Sequence, residues 1–214
     1  SDSQDVVMLL PLFAHEIPPA RGALIKLNIH QLCPHEAVDS LKLATRDVDI
    51  QVADETLRKV RRTQPLVDNW RMSLDSAISI ARISPFLRKY RDELRGQVRL
   101  MRGMDLATRN LRVVVRRIDF LLRDRQPRPY LADLFEQIGD ATRVLARSVQ
   151  EPEVLDDAQE MLVEIIHQLD PKKHGIADQI REASVLLLLR PLLVDLLCAS
   201  GMSEEDARAE LPAV

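Results

Sequence analysis

From Phe86 to Gln126 the chain contains no proline, and it keeps apolar residues at heptad spacing: Leu87, Tyr90, Leu94, Met101, Met104, Leu111, Val115, Ile118 and Leu122. Only Gln97 and Thr108 interrupt that register. Such positions form one stripe of a helix, and the stripe must be buried against other helices. A helix of about 40 residues is roughly 60 Å long at 1.5 Å per residue. Ser84-Pro85 supplies a cap and a first-turn proline at its start, and Pro127 and Pro129 stop it. The expectation is an all-α, elongated helical bundle built around one long central helix, about 84–126.

Composition supports that class. Aromatic residues make up 3% and glycine occurs 6 times, which is sparse for a β-protein or for a platform on which bases stack. A net charge of −3 argues against a general nucleic-acid binder, so no nucleic acid is expected as a partner. The apolar run Val185–Leu197 contains Arg190, Pro191 and Asp195. It reads as too short and too polar to span a bilayer, which takes about 20 apolar residues. No basic region precedes the apolar stretch Val6–Phe13, so no signal peptide is read there. Cys33 and Cys198 could form one disulfide but not a disulfide framework.

Along the chain, residues 1–35 form a lead-in with little pattern, broken at Pro18-Pro19. Within it Ile25, Leu27 and Ile29 alternate as in a strand, but with no second strand as partner a helix is favoured over 23–32. Residues 36–214 read as one helical domain. Helices are expected over 36–45, then to Arg62, 66–82, 130–149, 153–169 and 176–199. Gly201 suits a C-cap, and Ser203 caps a last short helix.

Arg88, Arg95, Arg102, Arg109, Arg116 and Arg123 recur at every seventh position of the central helix. Leu106, Val113 and Phe120 flank the second half of that stripe, so Arg109 and Arg116 are expected to be buried. Buried guanidinium groups need partners. One reading is structural, with Asp105 a turn before Arg109 and Asp119 near Arg116. The other is an anion site in which Arg109, Asn110 and Arg116 hold a carboxylate. Asp195, set among leucines, is expected to meet Arg109 or Arg116. Gly96 and Gly103 are read as points of close helix approach.

Glu164-x-x-His167 is half of a di-iron bundle pattern that no other histidine completes. His30, Cys33, His35 and Glu36 fit no standard zinc spacing. There is no phosphate loop and no nucleophile elbow. Neither catalysis, a metal nor a cofactor is expected.

Three segments carry a resemblance: "RRTQPLVDNW" from Arg61 to Trp70, Ser84-Pro85 through "MDLATRNLRVVVRR" ending at Arg117, and the tail "LLLLRPLLVDLLCASGMSEEDARAELP" from Leu186 to Pro212. In order and spacing they resemble the soluble C-terminal region of actinobacterial aromatic acid exporter proteins, the fusaric acid resistance-like group, over roughly residues 45–212. Asp105, Arg109 and Asn110, and the run from Val194 to Leu197 with Ser200-Gly201 after it, are the most specific parts. Arg190-Pro191 departs from the pattern. The resemblance implies a cytoplasmic helical domain preceded by membrane-embedded helices of the same polypeptide, with a regulatory or assembly role, a homo-oligomer as a candidate state and a small anionic aromatic molecule as a candidate ligand. The chain begins at Ser1 rather than Met, in keeping with that expectation. Two alternatives remain open: a free-standing helical regulator of the phosphate-uptake type, and a small carboxylate-binding domain.

Overall fold

The structure, a computed structural model, describes residues 34–83 and 91–213. The readings made for residues 1–33, for the Ser84-Pro85 cap and for Leu87, Arg88 and Tyr90 lie outside the described residues. Among those described, the chain is an all-α bundle with no strand. Its helices are α1 (His35–Asp47), α2 (Ile50–Arg62), α3 (Gln64–Ile83), α4 (Arg91–Leu121), α5 (Pro129–Arg147), α6 (Leu155–Ile166), α7 (Ile180–Ser200) and α8 (Glu204–Ala209). Short 3-10 turns, Leu122–Asp124 and Pro152–Val154, follow α4 and precede α6.

The longest element is α4, with 31 residues. Its heptad register is buried as expected: Met101, Met104, Thr108, Leu111, Val115, Ile118 and Leu122 are all inside. Ala107, Val114 and Leu121 are buried too, because α2 and α3 cover one side of α4 and α7 covers another. A second group forms where α1 lies on α5 and α6 packs against α5 and α7. Leu131, Leu134, Phe135 and Ile138 of α5 and Val38 and Leu41 of α1 fill that part of the core.

Helix ends follow local chemistry. Asp49 accepts from the backbone N–H groups of Gln51 (2.9 Å) and Val52 (3.1 Å) and so starts α2. Gly201, at φ 112°, closes α7 in the left-handed region that glycine enters without a Cβ penalty. Ser203 Oγ accepts from Asp206 N–H at 3.1 Å and opens α8.

By length and composition α7 is long and apolar enough to cross a membrane, which corrects the reading of its core as too short and too polar. In this fold 61% of its apolar window is buried inside the protein, as in a central core helix. Pro191 interrupts it on the exposed side, beside exposed Leu187. Water is at hand there for the carbonyl that proline leaves without a donor. Arg190 donates to the carbonyl oxygen of Pro212 at 2.5 Å and ties the C-terminal tail down.

Antiparallel contact between α4 and α7 is the largest in the bundle. It is closest at Gly103, where a Cβ would sit 2.5 Å from Ala199 Cβ, 2.7 Å from its Cα and 2.8 Å from its nitrogen. Gly96 meets nothing within 4 Å, so only one of the two glycines is a packing device. Alanine favours helix over glycine by about 1 kcal/mol, but here the clash involves backbone. Gly103→Ala should therefore destabilise by about 1–3 kcal/mol in a urea melt. Ala199→Gly in that background should recover only part of the loss.

Candidate functional site

The arginine stripe faces water. Arg102, Arg109, Arg116 and Arg123 are all exposed, and the Arg109 side chain is 54% exposed. The expectation of buried Arg109 and Arg116 was wrong because Leu106, Val113 and Phe120 are not interior positions: each is 48% exposed. Apolar flanks were read as evidence of burial, but here they form an outward row. Each lies one turn after an arginine, in the pairs Arg102/Leu106, Arg109/Val113 and Arg116/Phe120, so the rows run side by side.

Arg109 donates to Asp105 through Nη2 (2.9 Å) and Nε (3.2 Å), the structural pairing expected of that spacing. Asp105 is nearly buried and also receives Arg71 of α3 at 2.7 Å. Its carboxylate thus joins α3 to α4. Arg112 extends the network, donating to the Val60 carbonyl (3.3 Å) at the end of α2 and to Gln64 Oε1 (2.9 Å) at the start of α3. A cation is favoured at a helix C-terminus, where carbonyls lack donors. Asp119 is taken by Arg123 at 3.4 Å, not by Arg116. Arg116 has no ion pair among the described residues.

Asp195 does point at the central helix, but to Asn110, whose Nδ2 donates at 2.6 Å. No arginine reaches it. The reason lies in the helix faces: Asn110 is turned toward α7, and Arg109 and Arg116 are turned away from it toward water. The four-residue set Arg109, Asn110, Arg116 and Asp195 therefore splits into one Asn–Asp contact and two arginines elsewhere. Burial pushes the Asp195 carboxyl up to about 6, against the lowering effect of Asn110, with Glu204 raising it and Arg208 lowering it further away. Burial, with Asp195 and Glu204 nearby, also pushes the free Cys198 thiol up.

The buried guanidinium is Arg128, which sequence reasoning passed over. Its side chain is 5% exposed. It donates to Asp124, to Glu182 at 3.1 Å and to the Gln126 carbonyl at 2.6 Å. Its own N–H donates to the Thr45 carbonyl at 3.1 Å. The local signal was Pro127-Arg128-Pro129: a residue before proline is held extended, here at φ −132° and ψ 77°, and its side chain is thrown inward at the start of α5. Tyr130 shares Glu182, donating at 3.0 Å, and burial raises its phenol well above the usual range. His167 contacts Glu210 at 2.9 Å. Among the described residues no group of three or more His, Cys, Asp or Glu is placed so that it could hold a metal ion.

Asp195 lines an open cleft of about 760 Å³ between α3, α4 and the α7–α8 corner. Arg95, Arg99 and Arg102 lie on its α4 wall, Ile78, Val98 and Leu106 give it apolar surface, and Cys198 and Glu204 border it opposite. Arg99 rests over Gly201 at the end of α7. None of the cleft arginines was singled out from the sequence as ligand-facing. Gly103 was read as a point of close helix approach, but the cleft that borders it depends on how α3 and the α7–α8 corner sit against α4, which spacing does not give.

Two substitutions test the polar groups. Removing Arg128 strands Glu182 and Asp124, so Arg128→Ala should lower stability by about 3 kcal/mol. Asp195 carries the opposite expectation. Its folded-state pKa, raised to about 6 from 3.8, means that the folded protein holds this proton more tightly than the unfolded chain. The favourable contribution is present at low pH and lost as pH rises through about 6. Asp195→Asn should melt at or above the parent near neutral pH, and the difference should shrink toward about pH 4. A variant that melts well below the parent at neutral pH would overturn this account.

Comparison with known family models, with curated proteins and with solved structures finds no match for this chain.

Proposed function

We propose that this chain is a non-catalytic, cytoplasmic helical domain of an integral membrane exporter of the aromatic acid exporter type, with a regulatory or assembly role. In that reading it is carried by membrane-embedded helices of the same polypeptide and lies against the cytoplasmic face of the plasma membrane. Its support from sequence is the resemblance through Arg61–Trp70, Met104–Arg117 and Leu186–Pro212. Its support from geometry is the outward row Leu106, Val113 and Phe120, each 48% exposed, beside Arg102, Arg109 and Arg116.

That row is the observation that carries the proposal. A solvent-facing apolar row on a core helix has a cost in water that a partner surface removes. The occupant to which its charge is complementary is an anionic lipid surface. The chain as a whole is net −3, yet α4 holds eight arginines against four acidic residues. Arg117 and Arg181 flank the Phe120 ring at 5.5 Å and 5.8 Å, which joins the aromatic and cationic character at one end of the row. An apolar row bordered by arginine is what interfacial helices use at the headgroup level.

The test is co-sedimentation with vesicles of phosphatidylcholine alone and with added phosphatidylglycerol. The protein should sediment with the anionic vesicles only, and high salt should release it. Each arginine near such a surface contributes about 1 kcal/mol. Arg109→Glu with Arg116→Glu should therefore lower partitioning by well over tenfold, and Phe120→Ser should weaken it further. Equal binding to neutral vesicles, or no effect of these changes, would remove the observation on which the proposal stands. Reading the coding sequence upstream of Ser1 tests the attachment separately: apolar spans of about 20 residues are expected there.

A further inference from the structure

The cleft between α3, α4 and the α7–α8 corner adjoins the membrane-facing row at Arg102 and Leu106 and has a chemistry of its own. At about 760 Å³ it falls within the size range of small-molecule sites, roughly 300–1,000 Å³. Its lining is apolar for the most part, with a few charged groups that converge from α4. A purely apolar gap between helices would close on itself. Here Gly103 against Ala199 fixes the spacing of α4 and α7 beneath it, and the cleft stays open above that contact.

The charges are unevenly committed. On the far wall, Glu204 is taken by Arg208 at 2.6 Å and Asp195 by Asn110 at 2.6 Å. On the α4 wall, Arg99 and Arg102 have no hydrogen bond or ion pair among the described residues, although other exposed arginines of the bundle, such as Arg58, Arg147 and Arg208, reach a carboxylate. Arg99 is positioned over Gly201, at the carbonyl end of α7, where a cation is held in place without spending its donors on a carboxylate. A guanidinium next to apolar surface, with its donors unspent, is the group that recognises a carboxylate by paired N–H donors.

We infer that this cleft binds an amphipathic carboxylate, with its head on Arg99 and Arg102 and its apolar body along Ile78, Val98 and Leu106. The carboxylates Asp195 and Glu204 on the opposite wall repel a second anionic group and set the orientation, head toward α4 and body toward the apolar floor. Neutral molecules of the same shape leave the two guanidinium groups unanswered and bind less well. Dianions gain little, because their second charge meets the acidic wall. The site needs no cofactor, and its ligand enters from solvent on the open side.

Arg102 and Leu106 border both surfaces, but the two readings are separable: vesicle binding is read through Arg109, Arg116 and Phe120, which lie outside the cleft, and ligand binding is read first through Arg99, which lies outside the row. The experiment is calorimetric titration of the whole chain with decanoate, below its micellar concentration, and with decanamide as the neutral counterpart. Decanoate should bind at one site and decanamide at least about tenfold more weakly, since a hydrogen bond to a charged group is worth about 1.5–3 kcal/mol, or 10- to 100-fold. Arg99→Gln and Arg102→Gln should each weaken decanoate by about tenfold or more on the same grounds, and Arg116→Gln, outside the cleft, should leave it unchanged. Thermal melts of the three variants show whether each is folded. No binding of decanoate at millimolar concentration, equal binding of the amide, or a folded Arg99→Gln, Arg102→Gln double variant that binds as the parent does would each overturn the inference.

Discussion

The seam between α4 and α7 is the constraint on which the rest of the bundle depends. α7 is apolar around most of its circumference, with Val185, Leu186, Leu189, Leu192, Leu193, Leu196 and Leu197 buried, so all but the side bearing Leu187 and Pro191 must be covered. It has to be covered by α4 on one side and by α6 on another. Gly103 lets α4 approach until backbone nearly meets backbone at Ala199. Van der Waals contact falls away within about an ångström of separation, so this one residue sets how much of both helices is packed. It also fixes the relative rotation, bringing Asn110 to Asp195 and Arg117 to Ser184, where Nε donates to Oγ at 2.7 Å.

Around that seam the polar groups near the core are distributed by what can satisfy them. Asp105, Arg128 and Asp195 all come in from solvent, but under different terms. Asp105 receives two arginines whose other ends remain in water, so the desolvation is borne by one group only. Arg128 is the reverse: a buried cation with Asp124, Glu182 and a carbonyl around it, at the point where α1, α5 and α7 converge. Asp195 has a neutral amide alone. An amide cannot offset the cost of burying a full charge, which is why this carboxyl holds its proton to about 6.

Much of the fold could be read in the sequence because it rests on period and punctuation. The heptad register of α4, the prolines at 127 and 129, Gly201 and Ser203 each mark something local, and each structure-defining residue does what its type requires. The helices expected over 130–149 and 153–169, which correspond to α5 and α6, were legible for the same reason. The candidate site was less so. A row of Leu, Val and Phe at seven-residue spacing looks the same whether it faces a core or solvent, so Leu106, Val113 and Phe120 were assigned inward and Arg109 and Arg116 with them. Which helix covers which flank is a tertiary fact, decided here by α2 and α3 on one side of α4 and α7 on the other. Asp195 was legible as a buried carboxylate in need of a donor on α4. That the donor is Asn110 depends on a rotation about the α4 axis that spacing alone does not give.

The consequence for function follows from that rotation. Had Arg109 and Arg116 turned inward, their charge would have been spent within the fold, on Asp195 and its neighbours. Turned outward, Arg109 keeps only its pairing with Asp105 and Arg116 has no ion pair among the described residues. Both stand beside an apolar row that the bundle leaves uncovered, and Arg99 and Arg102 stand at the mouth of a cleft with no carboxylate assigned to them. A protein stabilised only by its own contacts has no use for either arrangement: exposed apolar rows favour association, and unpaired cations add nothing to packing. Arg102 and Arg116, which have no ion pair among the described residues, thus contribute charge to the surface rather than to the scaffolding. Burying the opposite face of α4 so thoroughly is what makes that surface rigid. A rigid row of alternating charge and apolar groups loses little entropy when it meets a partner, and so more of its contact energy remains as affinity.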